Sequence, residues 1–336
     1  MGRRWKYSAM IAPREDQFGR RIEYLRISVT DKCNFRCLYC MPVEGLQWLP
    51  KSEILTYEEI EAIVRELAAE GISRIRLTGG EPTIRPDLDK LIAMLRSVHG
   101  VEDIALSTNG VRLPELAATY RDAGRDRVNI SADSLRPERI AEIARRNLDF
   151  SPERSASAAE KAGLGPVKLN MVVLRGINDD EIEDFARLTL DHPWHVRFIE
   201  LMPVGSMREI TWEHVVPSSE IIDRISGIGA LTPDPGPPRG NGPASYYRLA
   251  DAPGTIGVIT PMTHTYCGSC NRVRLTADGR LRTCLFGTHE VDMRDALRAG
   301  LPLGPIFRQA LREKPLEHEL LQMRVGGLHA LSEIGG

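Results

Sequence analysis

The sequence has little net charge and no long apolar run. Its 336 residues carry a formal net charge of −2, and the basic residues are spread along the chain. This distribution provides no bulk electrostatic attraction to nucleic acid or to a membrane surface. An uncharged apolar run of about 18 residues, which could span a bilayer, is also missing. We therefore expect no nucleic-acid or membrane partner, and local arginines must hold any anionic ligand.

The start of the sequence lacks the features of a secretory signal, and cysteine is scarce. Residues 1–16, MGRRWKYSAMIAPRED, contain no apolar stretch of about seven residues or more. Six cysteines are too few for a disulfide scaffold in a chain of this length. In a reducing compartment, clustered cysteines more often bind metal. We therefore expect a cytoplasmic, globular protein of one large or two smaller domains.

Strand and helix patterns alternate from residue 24 to about residue 201. Short β-rich runs separated by helical segments predict an α/β protein with a parallel barrel or partial barrel. One helix begins after Thr56, where Thr-x-x-Glu with Glu59 predicts a capping box, and Gly71 ends it. The predicted strands are 24–30, 72–78, 102–107, 127–131, 167–174 and 195–201.

The pattern changes beyond residue 202. Residues 231–247, LTPDPGPPRGNGPASYY, are dense in proline and glycine, which predicts an irregular connection or a mobile loop. We therefore expect a barrel core over residues 18–230 and a C-terminal region over residues 231–336.

Three cysteines directly follow the first predicted strand. Cys33, Cys37 and Cys40 have the spacing CxxxCxxC, and no fourth cysteine or histidine is near. The spacing alone fits zinc and an iron–sulfur cluster about equally well. The position favours a cluster, because a loop after a barrel strand belongs to the face where parallel barrels gather their active sites. Three thiolates on a four-iron cluster leave one iron open, as a catalytic metal site requires.

Four predicted strands carry a cation within an otherwise apolar run. A buried charge is costly unless it is paired or solvated. Alternate residues of a barrel strand point inward, so these cations could converge on one lumen. A polyphosphate substrate would supply the missing counter-charge, since guanidinium forks match phosphate oxygens. The four cations are Arg26, Arg76, Lys168 and Arg197.

A second cysteine triplet lies within residues 263–286. Cys267 and Cys270 form a CxxC pair, and Cys284 follows a segment that alternates polar and apolar residues around Ala-Asp-Gly. This alternation predicts a hairpin that returns Cys284 beside the pair. Two interpretations stay open for the triplet: a zinc knuckle with His264 or His289 as fourth ligand, or a second cluster with an open iron.

Two arginines follow this CxxC pair with a period of two. On a strand, Arg272 and Arg274 would therefore project to the same face. They could be surface charges. Beside an open iron they would instead line a substrate pocket, with donors suited to a purine base or a phosphate.

The second predicted strand ends in LTGGEP (77–82), with two consecutive glycines. Together with DKCNFRCLYCMP (31–42), this segment resembles the radical S-adenosylmethionine enzymes. The resemblance implies that Cys33, Cys37 and Cys40 hold a [4Fe-4S] cluster whose open iron binds S-adenosylmethionine. It also implies reductive cleavage to a 5′-deoxyadenosyl radical, which abstracts a substrate hydrogen.

Further motifs narrow this resemblance. LTGGEPTIR, STNG, ISADSL, VKLN, RFIELM, CGSCNRVRLTADG, CLF and the terminal Gly335-Gly336 resemble the superfamily members that cyclise GTP in molybdenum cofactor biosynthesis. The implied fold is an incomplete (β/α)6 parallel barrel closed by a C-terminal cluster-binding region. The implied reaction removes the ribose H3′ of GTP and joins C3′ to C8. A second [4Fe-4S] cluster on Cys267, Cys270 and Cys284 is implied, its open iron meeting guanine.

The resemblance also assigns individual positions and partners. Tyr39, Gly80, Ser131 and Met202 match positions that contact S-adenosylmethionine. Positions around GTP are matched by Arg26, Arg76, Ser107, Lys168, Arg197, Arg272, Val273 and Arg274, and we expect Arg26, Arg272 and Arg274 to be catalytic. Gly335 and Gly336 are implied to enter the active site. The implied partners are a low-potential electron donor and cyclic pyranopterin monophosphate synthase, which would take the product onward; a homodimer is compatible with the resemblance.

Two other functions compete with this one. A different radical S-adenosylmethionine enzyme with an auxiliary cluster, for example one that modifies a peptide, would generally carry four or more C-terminal cysteines, whereas this chain has three there. A non-catalytic zinc protein that binds nucleic acid is disfavoured by the near-neutral charge and by GGEP after a barrel strand. Two departures from the family pattern, Ala132 in ISADSL and the weak apolar stripe of residues 145–163, leave the local helix packing open.

Overall fold

The fold was obtained as a computed structural model, which describes residues 14–202, 210–236, 242–287 and 289–318. The predicted role of Gly335 and Gly336 lies outside these residues. Six strands alternate with helices, and the predicted strands agree with them to within two residues at each end. The strands are β1 (Tyr24–Ser28), β2 (Arg74–Thr78), β3 (Asp103–Thr108), β4 (Arg127–Ser131), β5 (Lys168–Val173) and β6 (His195–Glu200). The helices are α1 (Tyr57–Ala69), α2 (Leu88–Ser97), α3 (Leu113–Asp122), α4 (Pro137–Ala144), α5 (Pro152–Lys161) and α6 (Ile182–Asp191).

The C-terminal region adds further strands and helices. Its helices are α7 (Ser218–Ser226), α8 (Met293–Arg298) and α9 (Leu303–Arg312). Among the residues described, no helix is both long and apolar enough to cross a bilayer. The strands of this region are β7 (Leu231–Asp234), β8 (Ser245–Leu249), β9 (Thr255–Ile259), β10 (Arg272–Leu275), β11 (Arg280–Arg282) and β12 (Glu290–Asp292).

All of the described strands belong to one sheet with the order β12-β11-β10-β1-β2-β3-β4-β5-β6-β9-β8-β7. Strands β1 to β6 are parallel neighbours, β10 pairs in parallel with β1, and β9 pairs in parallel with β6. The C-terminal region therefore extends both edges of the six-stranded core. The described strands do not close into a ring, which confirms the predicted incomplete barrel.

The proline- and glycine-rich stretch is more regular than its composition indicates. Its two ends form β7 and β8, an antiparallel pair in which Leu231 lies opposite Leu249. Asp234 accepts a hydrogen bond from Arg248 Nε at 2.8 Å across this pair. The prediction of an irregular connection was therefore wrong at both ends of residues 231–247. Composition misled it because Pro233 lies on an edge strand, where a missing N–H is tolerated.

The two faces of the core sheet differ in polarity. Successive residues of a strand point to opposite faces, and β1 and β2 run in register, with Leu25 beside Ile75 and Arg26 beside Arg76. Leu25 and Ile75 are fully buried in the hydrophobic core. Arg26 and Arg76 instead line a cavity in the barrel lumen. The helices thus cover an apolar outer face, and the inner face remains polar.

Helix α1 begins with the predicted capping box. Thr56 accepts a hydrogen bond from the amide of Glu59 at 3.1 Å, and the Glu59 carboxylate accepts one from the amide of Thr56 at 2.8 Å. Glu59 also accepts from Arg298 Nε at 2.7 Å, so the helix start is tied to α8. The cap therefore stabilises both the helix and its contact with the C-terminal region.

We expect Thr56→Ala to lower the free energy of unfolding by about 0.5–2 kcal/mol, because it leaves a helix-terminal amide without its acceptor. Chemical denaturation of the full chain measures this change. Thr119→Ala removes the same atoms from the exposed middle of α3 and should be neutral or slightly stabilising, because alanine has the higher helix propensity. Equal midpoints for the two variants would contradict the cap's contribution.

The weak apolar stripe of residues 145–163 has a packing explanation. The buried face of α5 includes Ser155, Ala156 and Ala159, and the helix packs against α3. Ser155 Oγ donates a hydrogen bond to the carbonyl of Gly110 at 2.9 Å. Small residues let the two helices approach closely, so a strong apolar stripe is unnecessary there.

Candidate active site

A cavity of about 290 Å³ occupies the lumen at the carboxyl ends of the core strands. Parallel barrels place their active sites at this end. The cavity brings together most of the residues that the sequence singled out. These are Arg26, Cys33, Cys37, Tyr39, Cys40, Arg76, Gly80, Ser107, Ser131, Arg197, Met202, Arg272 and Arg274.

Two predicted substrate positions do not line this cavity. Val273 lies between Arg272 and Arg274 in the sequence, but its side chain is fully buried in the hydrophobic core. A contact from Val273 to a ligand in the lumen would therefore have to use its backbone. Lys168 is 2% exposed at the start of β5, where its register partners are Asn129 and His195.

The first cysteine triplet lies on a loop that is anchored to the end of α4. Arg36 N donates to the carbonyl of Ala144 at 2.8 Å, and Leu38 N donates to that of Ile143 at 3.0 Å. Burial raises the pKa of Cys33 to about 12 and that of Cys37 well above its usual value. A bare thiolate is therefore unfavourable at these positions.

Bound cationic iron would provide the charge that these buried thiolates need. Among the described residues, no three histidine, cysteine or carboxylate side chains converge on one point that could hold a single metal ion. A four-iron cluster does not require that convergence, since each thiolate binds a different iron. The donor set on this loop therefore fits a cluster.

The GGEP segment packs directly on the start of the cysteine loop. A Cβ atom at Gly79 would lie 2.6 Å from the carbonyl oxygen of Thr30, and one at Gly80 would meet the carbonyl of Lys32. Gly80 N donates to Thr30 O at 2.7 Å, and Glu81 N donates to Lys32 O at 2.8 Å. Both glycines also line the cavity. Glycine is therefore required at both positions because the backbone of residues 30–32 lies too close for a Cβ atom. The cavity lies beside the same two residues.

Glu81 organises this end of the cavity, a role that the sequence did not indicate. Its buried carboxylate accepts hydrogen bonds from Thr83 N at 3.0 Å and Thr83 Oγ1 at 2.5 Å. It also accepts from Thr108 Oγ1 and from Asn109 N, both at 2.7 Å. The carboxylate therefore ties the end of β2 to the end of β3.

Asp133 is a second acidic residue that sequence reasoning missed. It accepts a hydrogen bond from Tyr39 Oη at 2.6 Å and another from Val172 N at 2.9 Å. Burial raises the pKa of Asp133 to about 6. The signal was present in the motif ISADSL, but only the fold brings this carboxyl to the cysteine loop.

The arginines form a connected wall in the lumen. Arg76 donates to Tyr24 Oη and, at 2.9 Å, to Ser107 Oγ. Arg197 Nε donates to Asn170 Oδ1 at 2.8 Å. With its amide oxygen toward them, Asn129 accepts from both Arg76 and Arg197. Neutral side chains thus space the cations around the cavity.

Burial and crowding lower the pKa values of these cations. Burial, followed by the charges of Arg274 and Arg76, holds the pKa of Arg26 well below its usual value. Burial and then Arg272 lower the pKa of Arg274 to about 10. Burial and then Arg197 lower the pKa of Lys168 to about 6. An anionic ligand in the lumen would relieve this repulsion.

The strand carboxylates serve other partners. Asp103 forms an ion pair with Arg127, whose Nε donates to it at 2.9 Å. Glu200 accepts hydrogen bonds from the amides of Ser218, at 2.8 Å, and Thr263, at 3.0 Å. Neither carboxylate forms an ion pair with a lumen arginine in the structure as described.

The second cysteine triplet lines an adjacent cavity of about 60 Å³. Strands β10 and β11 form the predicted hairpin, and Cys284 follows β11. Tyr266, Arg272 and Arg274 line both cavities, and Arg272 lies over the Tyr266 ring, 4.9 Å from its centroid. The two cysteine triplets therefore share one wall.

The two histidines of the zinc interpretation do not line the second cavity. His289 Nε2 lies 2.7 Å from a carboxylate oxygen of Glu313, and His264 Nδ1 lies 3.3 Å from Thr263 Oγ1. The described histidine that does line the second cavity is His318, which packs edge-to-face on Phe286 at a centroid distance of 4.7 Å. The sequence did not single it out, because it lies 34 residues beyond Cys284.

Two family profiles match the chain. Residues 27–189 match the Radical SAM superfamily, and residues 194–320 match the family described as Molybdenum Cofactor Synthesis C. The boundary between the matches falls just before β6. Each match contains one of the two cysteine triplets.

Solved structures and curated relatives agree with these matches. SuiB of Streptococcus suis, bound to S-adenosylmethionine, is similar with a TM-score of 0.55 and 14% identity over 92% of this chain and 73% of that one, which shows the fold. The GTP 3′,8-cyclase of Pelotomaculum thermopropionicum is 48% identical over 96% of this chain and 100% of its own length. That of Moorella thermoacetica is 47% identical over the same shares. The chain therefore belongs to the GTP 3′,8-cyclase family of radical S-adenosylmethionine enzymes.

Proposed function

We propose that the chain converts GTP to (8S)-3′,8-cyclo-7,8-dihydroguanosine 5′-triphosphate in molybdenum cofactor biosynthesis. One observation carries the proposal: the two cysteine triplets line adjacent cavities whose common wall contains Arg272 and Arg274. A substrate against this wall would lie between the radical source and the second cluster. The cationic lumen behind it suits a triphosphate.

The family's cofactors are two [4Fe-4S] clusters and S-adenosylmethionine. Cys33, Cys37 and Cys40 would hold the first cluster, and Cys267, Cys270 and Cys284 the second. When bound, the first cluster and S-adenosylmethionine would supply the 5′-deoxyadenosyl radical that takes H3′ from GTP. The C3′ radical would then bond to C8, and one further electron from the low-potential donor, with a proton, would complete the 7,8-dihydro product. The residues proposed to hold S-adenosylmethionine are Tyr39, Gly80, Ser131 and Met202, all of which line the first cavity.

The arginines would bind and orient GTP. In this proposal Arg26, Arg76 and Arg197 hold the triphosphate from inside the barrel, and Ser107 is positioned by Arg76. Arg272 and Arg274 lie beside the second triplet, so they would orient the guanine and contact the reacting end of the nucleotide. Arg26, Arg272 and Arg274 are the proposed catalytic residues. Lys168 would add positive charge from the start of β5, and Val273 would contribute only its backbone.

The test is anaerobic reconstitution with iron and sulfide, followed by incubation with S-adenosylmethionine, GTP and a low-potential reductant. About eight irons per chain, as two four-iron clusters require, and GTP-dependent formation of 5′-deoxyadenosine with the cyclised product are expected. A colourless protein with tightly bound zinc would contradict the proposal. So would 5′-deoxyadenosine formation that is indifferent to GTP.

Lys168 provides a pH-linked prediction for substrate binding. Its pKa of about 6 makes the amine mostly neutral at pH 7.5, and a nearby triphosphate would raise that pKa. Binding should therefore take up about one more proton in the parent than in Lys168→Met. Calorimetry in buffers of different ionisation enthalpy measures the difference. It should shrink as the pH falls towards 6, because a growing fraction of Lys168 is then already charged before GTP binds. Equal proton uptake at pH 7.5 would refute the link.

Partners and cellular placement complete the proposal. The product would pass to cyclic pyranopterin monophosphate synthase, and a low-potential donor would supply electrons. Cysteines that serve as metal ligands suit the reducing cytoplasm. The division into a core (18–230) and a C-terminal region (231–336) stays a prediction, as does a homodimer.

A further inference from the structure

A buried lysine lies against the second cysteine triplet. Lys314 follows α9 and is 2% exposed. Its Nζ lies 3.7 Å from Cys270 Sγ and donates to the carbonyl of Arg272 at 3.0 Å and to the carbonyl of Thr283. An ammonium has three N–H donors, and these three acceptors account for all of them. The side chain therefore has one defined position.

The acceptors of Lys314 belong to both arms of the β10–β11 hairpin. Arg272 begins β10, two residues after Cys270, and Thr283 directly precedes Cys284. One ammonium thus joins the backbone beside two cysteines that are distant in sequence. This contact sets the spacing at the mouth of the hairpin, where the proposed second cluster would be held.

Arg20 holds the segment that carries Lys314. Its guanidinium donates to the carbonyls of Pro315 at 2.6 Å and Leu316 at 2.9 Å. It also donates to the carbonyl of Cys267 at 2.8 Å and forms an ion pair with the buried Asp16. The segment after α9 is therefore fixed to the loop that carries Cys267.

Two basic side chains lie against the second triplet. Lys314 Nζ is 3.7 Å from Cys270 Sγ, and Arg20 donates to the carbonyl of Cys267. The fold thus places positive charge beside a thiolate ligand of the second cluster.

We propose that Lys314 is a positioning residue for the second iron–sulfur cluster, which it stabilises in the reduced form through an N–H···S hydrogen bond to Cys270. This inference rests on the second cluster of the proposed function. Hydrogen bonds to sulfur and nearby charge set the potentials of such clusters. Reduction adds negative charge to a site that already holds three thiolates, and the buried ammonium favours that change.

The test uses the full-length chain with Cys33→Ser, Cys37→Ser and Cys40→Ser, so that the signal comes from the second cluster alone. After anaerobic reconstitution, the iron content and the midpoint potential of the EPR-detected reduction are measured. The parent in this background is compared with Lys314→Met, Lys314→Gln and Lys314→Arg. In Lys314→Gln and Lys314→Met, the equilibrium constant for reduction of the second cluster should fall at least about tenfold. This corresponds to a midpoint potential lower by about 59 mV for one electron. Lys314→Arg should stay close to the parent.

Lys90→Met is the matched control, because Lys90 lies in α2 with its side chain 67% exposed. An unchanged potential in Lys314→Gln, with or without lower stability, would leave only a structural contact and overturn the proposal. If Lys314→Met does not fold, the Gln and Arg variants decide. A parent that lacks about four irons in this background would instead refute the second cluster itself, and with it this inference.

Discussion

Cys37→Ala is expected to abolish 5′-deoxyadenosine formation, with a loss of at least about 10³-fold. Residues that merely support metal ligands typically cost 10- to 100-fold when replaced, and removal of a proposed ligand should cost more. Backbone hydrogen bonds shape this loop, since the amides of Cys40 and Met41 donate to the Cys37 carbonyl at 2.9 and 3.1 Å. Alanine keeps that backbone pattern, so the loss would report on the thiolate.

Iron analysis and chromatography of the nucleoside products measure this effect. Iron should fall from about eight to about four per chain, because the second cluster is held by separate cysteines. Cys284→Ala is the matched control, since it should also retain about four irons but still cleave S-adenosylmethionine while losing GTP cyclisation. If Cys37→Ala keeps about eight irons or its cleavage activity, the assignment of the first triplet is wrong.

Arg274→Ala is expected to weaken GTP binding about 10- to 100-fold. A hydrogen bond to a charged group contributes about 1.5–3 kcal/mol, and about 1.4 kcal/mol corresponds to a factor of ten in Kd. Arg274 is 8% exposed and lies beside Arg26 in register.

Equilibrium binding of GTP at two salt concentrations checks this prediction. The parent's affinity should fall more steeply with salt than that of Arg274→Ala, because one cation fewer would face the triphosphate. Arg65→Ala is the matched control, since Arg65 is 64% exposed on α1 and pairs with Glu61 in the same helix. Equal affinities for Arg274→Ala and Arg65→Ala would remove Arg274 from the proposed substrate site.

The parts of the site that could be predicted depend on local patterns. The spacing of Cys33, Cys37 and Cys40 is confined to one loop, and the period of Arg272 and Arg274 is confined to one strand. Both patterns persist in any fold that forms these elements. The strands were likewise predictable, because each is a short run of β-rich residues.

The missed residues depend on contacts between distant elements. Glu81 connects β2 to β3, and Asp133 reaches Tyr39 across 94 positions of the chain. Lys314 lies 44 residues from Cys270. Glu81 and Asp133 lie in the motifs GGEP and ISADSL, but nothing in either motif indicates which distant groups their carboxylates bind. Lys314 lies in no motif, and nothing in the sequence around it distinguishes it from a surface charge.

The strand–helix alternation, the two cysteine triplets and the family can all be recognised from the sequence. The fold was needed to show that Val273 lies in the core while its neighbours line the cavity, and that β7 and β8 pair within a proline- and glycine-rich stretch. It was also needed to show which buried charges meet. Side-chain periodicity and ligand spacing act over a few residues, whereas burial, hydrogen bonding and charge pairing depend on which elements pack together.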